Sequence, residues 1–206
     1  MTQGSGRICV IDCPTLPHRV AGNLALDFAN TYSWRGTPRE ADHLVDGGAV
    51  LAWAKDAGLI GPRFTLSAAR QALLVEQVHH LRRAIEVVGV AITRRTAPPA
   101  QSLATIRDLA SQSLPAVSLV GTPVRLDFVP DDRIAGPIAW AALDLLLGDE
   151  LGRLKQCPPE NCRWLSIDRT KNGSRRWCEM ATCGNRAKKR RVVGRTPAAF
   201  RGEIRT

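Results

Sequence analysis

Four cysteines fall in two pairs, Cys157-x4-Cys162 and Cys178-x4-Cys183, with fifteen residues between the pairs. Two close pairs about twenty residues apart suit a four-thiolate metal site, each pair on a tight knuckle and the intervening chain folding back to close a tetrahedron. Other uses of the thiols rank lower. Disulfides are unfavourable in the reducing cytosol expected for this chain, whose N-terminus, MTQGSGRICVIDCP, shows no basic leader and apolar core. Redox dithiols usually sit two residues apart, and an iron–sulfur cluster is less natural on a hairpin with basic flanks. Unligated buried thiols are the remaining alternative. One structural Zn²⁺ on Cys157, Cys162, Cys178 and Cys183 is the favoured reading, with no coordination position left open for catalysis. Cys9 and Cys13 have no assigned role.

The residues between the pairs support closure. WLSID (164–168) has strand composition, Asn172-Gly173 is a turn signal, and RRW (175–177) is expected to return as the partner strand. Thr182 or Asn185 is expected to cap a helix running from Arg186 to about Val193, with Gly194 just past its end. The expected order is knuckle, hairpin, knuckle, helix, a treble-clef-like module in which metal replaces a core too small to hold alone.

Charge separates this module from the rest. Residues 1–150 hold 14 Arg and Lys against 15 Asp and Glu, whereas residues 151–206 hold 15 against 4. A near-neutral body with a strongly basic end implies a polyanionic partner for that end. The body reads as mainly α with a small β-hairpin. DHLVDGGAVLAWAKDAGLI (42–60) is expected to be helical to about Gly58, and Ser67 to cap a long helix reaching about Thr96. In it Leu73, Leu74, Val78, Leu81, Ile85, Val88 and Ile92 recur at helical spacing. Pro98-Pro99 opens the next helix, with Leu103, Ile106, Leu109 and Leu114 as its apolar residues. Residues 116–120 and 124–129 alternate as a hairpin, and Pro137 starts a further helix. LALDFANTY (24–32) fits either helix or strand. The expected division is a helical domain over 1–150, a zinc finger over 151–194 and a basic tail over 195–206.

The stretch CRWLSIDRTKNGSRRWCEMATCGNRAKKRR closely resembles the CGNR zinc-finger family, whose tetrapeptide is Cys183-Gly184-Asn185-Arg186 here. LALDFANT (24–31) resembles the start of the ABATE domain that precedes such fingers. The resemblance implies a stress-induced transcription regulator, DNA binding, and zinc ligation by the same four cysteines.

If the last helix starts as expected, Asn185, Arg186, Lys188, Lys189, Arg190 and Arg191 are its groove-facing residues. Arg169, Lys171, Asn172, Arg175 and Arg176 at the hairpin tip form a second group suited to phosphates. Trp164 and Trp177 are expected to pack the miniature core. The expected partner is duplex DNA, with structured RNA or an acidic protein face as alternatives, and a homodimer and a small-molecule effector as further expectations. Catalytic signatures such as G-x-S-x-G, a phosphate-binding glycine loop or H-E-x-x-H are missing, and Glu76 and His80, one turn apart, read as a surface pair. No enzyme activity is expected. Asn23, Asp27, Asn30, Tyr32 and Trp34 are the candidate lining of an effector pocket, and the protein is expected in the cytoplasm.

Overall fold

The long apolar repeat folds as helix α3 (Ala68–Thr93) in a computed structural model that describes residues 16–128 and 134–193. Leu74, Val78, Leu81, Ile85 and Val88 are buried along one stripe. Leu73, expected on that stripe, is 69% exposed on the solvent side. Ser67 occupies the N-cap position without a side-chain cap bond. Around α3 pack α1 (Leu24–Ala29), α2 (Gly47–Asp56), α4 (Ala100–Ser113) and α5 (Ala135–Leu147). Ile106 and Ala110 of α4 and Ile138, Ala139 and Ala142 of α5 face the same core, while Phe28 meets Trp53 with ring centroids 5.2 Å apart.

LALDFANTY resolves into α1 because Asn23 caps it, its Oδ1 accepting from Ala25 N and Leu26 N. Residues 42–46, expected inside α2, lie outside it. Strand β1 (Tyr32–Ser33) pairs with β2 (Ala41–Asp42), and the Asp42 carboxylate accepts both Leu44 N and a 2.6 Å fork from Arg82. The chain therefore enters α2 only at Asp46, whose carboxylate caps Ala49 N at 2.8 Å. Strands β3 (Val117–Val120) and β4 (Arg125–Phe128) form the expected hairpin, with a cis Thr122-Pro123 bond in its turn. Among the described residues, no helix is long and apolar enough to cross a membrane. Cys9, Cys13, Val129, Gly194 and the 195–206 tail lie outside the described residues.

The finger departs from the expected pairing. Strand β6 (Leu165–Ile167) pairs antiparallel with β5 (Leu154–Gln156), not with residues 175–177. The first knuckle is therefore the loop of this hairpin. Segment 175–177 is diverted because Asp168, at the end of β6, accepts hydrogen bonds from Thr170 N and Arg175 N. Those bonds turn the chain before a second ladder can form. The pairing also gives Leu154, Leu165 and Ile167 a burial site. All three join the core of the N-terminal helices. Gly89 of α3 permits the approach, since a Cβ there would lie 2.4 Å from Leu165 Cδ1. The sequence division at residue 150 thus crosses one continuous core.

Candidate metal centre and nucleic-acid interface

Both knuckles are built from tight turns. Cys162 N donates to Pro159 O at 2.9 Å, and Arg163 takes a left-handed φ of 58°. Cys157 N then closes the loop onto Trp164 O at 2.8 Å. The second pair is bridged by a single π-helical turn, Met180–Gly184, which leads directly into α6 (Asn185–Val193). Asn185, one of the two expected caps, instead donates from Nδ2 back to Ala181 O at 3.1 Å.

These turns bring the sulfurs of Cys157, Cys162, Cys178 and Cys183 within 4.8 Å of one another, and all four residues are buried. The Cys162–Cys178 and Cys178–Cys183 sulfurs are 3.6 and 3.5 Å apart. A tetrahedral metal about 2.3 Å from each sulfur would set them about 3.8 Å apart, so the donor set fits. Trp164 and Trp177 pack against the cluster as expected. The contact with Cys157 first, and with Cys183, pushes the Cys162 and Cys178 thiols up, whereas Cys157 first, and Arg186 among the lesser causes, pull Cys183 down. Four crowded thiols do not all ionise without a cation among them. A divalent metal supplies that charge.

Arg175 and Asp168 brace the centre. The Arg175 guanidinium donates to Ile167 O at 3.1 Å, Trp177 O at 3.2 Å, Val20 O at 2.7 Å and Cys178 O. Backbone carbonyls of the finger and of Val20 consume it, which corrects its expected role at phosphates. Asp168 is 1% exposed and pairs with Lys155 Nζ at 2.8 Å. Hydrogen bonds from Lys155 first, then from Thr170 and the Arg175 backbone, hold its carboxyl well below the usual carboxylate range. Sequence reasoning passed over Asp168. The available signal was its place at a strand end two residues before Thr170, an Asx-turn spacing.

The five candidate effector-pocket residues are not gathered around one cavity. Asn23 caps α1, and Asp27 Oδ1 accepts from Ala21 N at 2.9 Å, where burial nevertheless raises the pKa of its carboxyl. Asn30 holds both backbone groups of Leu165, N–H and C=O, at 2.9 Å each. Tyr32 OH donates to Glu40, and Tyr32 O accepts from Trp164 Nε1 at 3.0 Å. Of the five, Trp34 lines the clefts beside the finger. The Asn30 side chain thus joins the N-terminal helices to the finger, whereas Asn23 and Asp27 bond within the N-terminal domain.

The expected basic contacts divide in the same way. Arg169 forms a fork with Glu150 at 2.6 and 2.7 Å. Arg186 stacks on the Trp34 ring at 4.1 Å and donates to Cys183 Sγ at 2.8 Å. Arg176 lies over the Trp177 ring at 5.1 Å yet remains exposed. Lys171, Asn172, Asn185, Lys188, Lys189 and Arg190 are exposed, and the five cations Lys171, Arg176, Lys188, Lys189 and Arg190 have no ion pair among the described residues. The side chain of Arg191 lies outside the described residues. Glu76 and His80 are exposed on α3.

The loop between β1 and β2 reaches this basic face. Trp34 has a φ of 57°, a left-handed conformation costing a bulky residue about 1–2 kcal/mol. Thr37 secures it, donating from N and Oγ1 to Trp34 O at 3.1 and 2.7 Å.

Comparison with known families agrees with this architecture. The ABATE family model, described as "Putative stress-induced transcription regulator", matches residues 22–149. The CGNR zinc-finger model matches residues 153–196. A search of curated proteins returns no match. With a helical body joined through Asn30 and Leu165 to a four-cysteine finger, and with the first model covering more than half its length, this chain belongs to the ABATE family and ends in a CGNR zinc finger.

Proposed function

We propose that the protein is a cytoplasmic DNA-binding transcription regulator, without catalytic activity, whose finger is held by one structural Zn²⁺. The observation that carries this reading is the exposed set Lys188, Lys189 and Arg190 on a helix whose start is fixed by Cys183. The donor set of four buried sulfurs favours zinc, which thiolates bind in a closed tetrahedron. Lys171 and Arg176 extend the basic face across the finger. A small-molecule effector would act at the cavity of about 300 Å³ between the finger and the β1–β2 region, bordered by His43, Trp34, Trp164 and Arg186.

Site selection from random duplex DNA with zinc-loaded protein tests the reading, with Cys178→Ser as control. Enrichment of a motif that the control loses is expected, and a two-fold motif would indicate a dimer. Five exposed cations engaging five phosphates would give a log–log salt slope of about −4.5. A flat salt response, or stronger binding to structured RNA than to duplex, contradicts the reading.

A further inference from the structure

An open cleft of about 460 Å³ lies between the β1–β2 loop of the N-terminal domain and helix α6. Trp34 and Arg39 line one side, and Asn185, Arg186, Lys188 and Lys189 the other. Four cations face this space and no carboxylate lines it among the described residues. Arg39 has no ion pair among the described residues and lies 5.9 Å from the Trp34 ring, opposite the finger's own cations. Arg186 has Cys183 Sγ as its partner, but Arg39, Lys188 and Lys189 have no ion pair among the described residues. Like charges brought together without a counter-charge repel, and the arrangement is relieved when an anion enters.

The loop is built to hold its side of the cleft. Its left-handed Trp34 is tied by Thr37, and Arg39 N donates to Thr37 Oγ1 at 3.2 Å. Glu40 accepts from Tyr32 OH and Gly36 N, and Arg35 pairs with Glu86 of α3 at 2.9 Å. Glu40 and Glu86 are thus engaged by other groups of the protein, and Arg39 forms no ion pair with either. Backbone strain kept in place by so many bonds is characteristic of a functional loop. Trp34 meanwhile serves as a platform that orients Arg186 from the finger.

We propose that this cleft clamps one strand of the nucleic-acid backbone, with Arg39 of the N-terminal domain gripping a phosphodiester alongside Lys188 and Lys189. The ABATE domain then contributes directly to the interface and is more than a support for the finger. The proposal rests on the nucleic-acid-binding reading and adds a residue that sequence reasoning did not select.

The test uses the full-length zinc-loaded chain and a mixed-sequence duplex. Loss of one phosphate contact should weaken binding about fivefold at 0.15 M salt and reduce the steepness of the salt slope by about 0.9. Arg39→Ala is expected to show both, with unchanged zinc content and melting temperature, while Arg39→Lys keeps the slope. Arg63→Ala, an exposed arginine in the α2–α3 connection that does not line the cleft, is expected to bind as wild type. If Lys188→Ala and Lys189→Ala weaken binding but Arg39→Ala does not, the clamp is overturned and the finger's role stands. An equal loss in Arg63→Ala overturns it too, since the effect is then the overall field. Arg39-dependent binding of inorganic pyrophosphate with unaltered duplex affinity assigns the cleft to a free phosphorylated molecule, also against the proposal. Failure of the wild-type chain to bind any duplex removes the functional reading together with the clamp.

Discussion

Asn30→Ala should loosen the joint between the finger and the N-terminal helices. The Asn30 side chain is buried and meets Leu165 twice, donating from Nδ2 to its carbonyl and accepting its N–H on Oδ1, at 2.9 Å each. Leu165 is itself 1% exposed, so truncation leaves both backbone groups in the core without partners. Each orphaned group costs about 1–3 kcal/mol, giving about 2–6 kcal/mol for the pair. In a chain of this size each kcal/mol lowers Tm by roughly 2–4 °C, so a fall of roughly 5–20 °C is expected. Urea unfolding of the metal-loaded chain measures the free energy, and amide exchange at Leu165 reports whether the loss is local. A change under about 0.5 kcal/mol, the ordinary range for surface positions, with Leu165 still protected, would refute the assignment of Asn30 as the joint.

Gly89→Ala should be destabilising, because the new methyl group meets Leu165 Cδ1 and overpacking costs about 1–3 kcal/mol. In a Leu165→Ala background the clash is gone, and the same change should instead stabilise by about 1 kcal/mol through helix propensity; the sign reversal is read by denaturant titration of the four variants. Arg175→Lys should cost about 1–3 kcal/mol, since one ammonium cannot serve four carbonyls, yet leave the salt slope of duplex binding unchanged because the group faces inward. Burial lowers the His43 pKa from its ordinary value near 6.5, with Asp42 opposing. A depressed folded value means that its contribution is complete above about 6.5 and is lost as pH falls through the lower folded value. NMR titration should therefore place His43 below ordinary histidines, and His43→Gln should flatten the stability loss between about pH 6.5 and 5.

The finger was legible because its chemistry is written locally. Four cysteines at fixed spacing and the Asn172-Gly173 turn mark the knuckles and reversal, and the structure gathers the same four sulfurs. Helix α3 was equally plain, since its buried positions follow a 3.6-residue period. What sequence did not disclose depends on partners far along the chain. Arg175 looks like a phosphate ligand until Val20 O, 155 residues away, is seen to accept a hydrogen bond from it. Asn30 and Asp27 look like ligand contacts for the same reason: a polar group among apolar neighbours needs a partner, and periodicity does not say whether that partner is a small molecule or a distant strand. The short strand β5 carries Lys155 and Gln156 and has no strong strand signature. Its pairing follows from the burial it secures for Leu154 opposite Ile167.

Leu165 and Ile167 have a consequence for heredity as well as for folding. A finger cut away at residue 150 would expose both side chains, and the body left behind would lose the residues that fill the face of α3 around Gly89. Neither fragment is a portable cassette. Gene fusions that move this finger onto an unrelated body should be viable only where the recipient offers an equivalent apolar seat and an amide like that of Asn30. In this chain a change on either side of the Gly89–Leu165 contact therefore limits what the other side can accept.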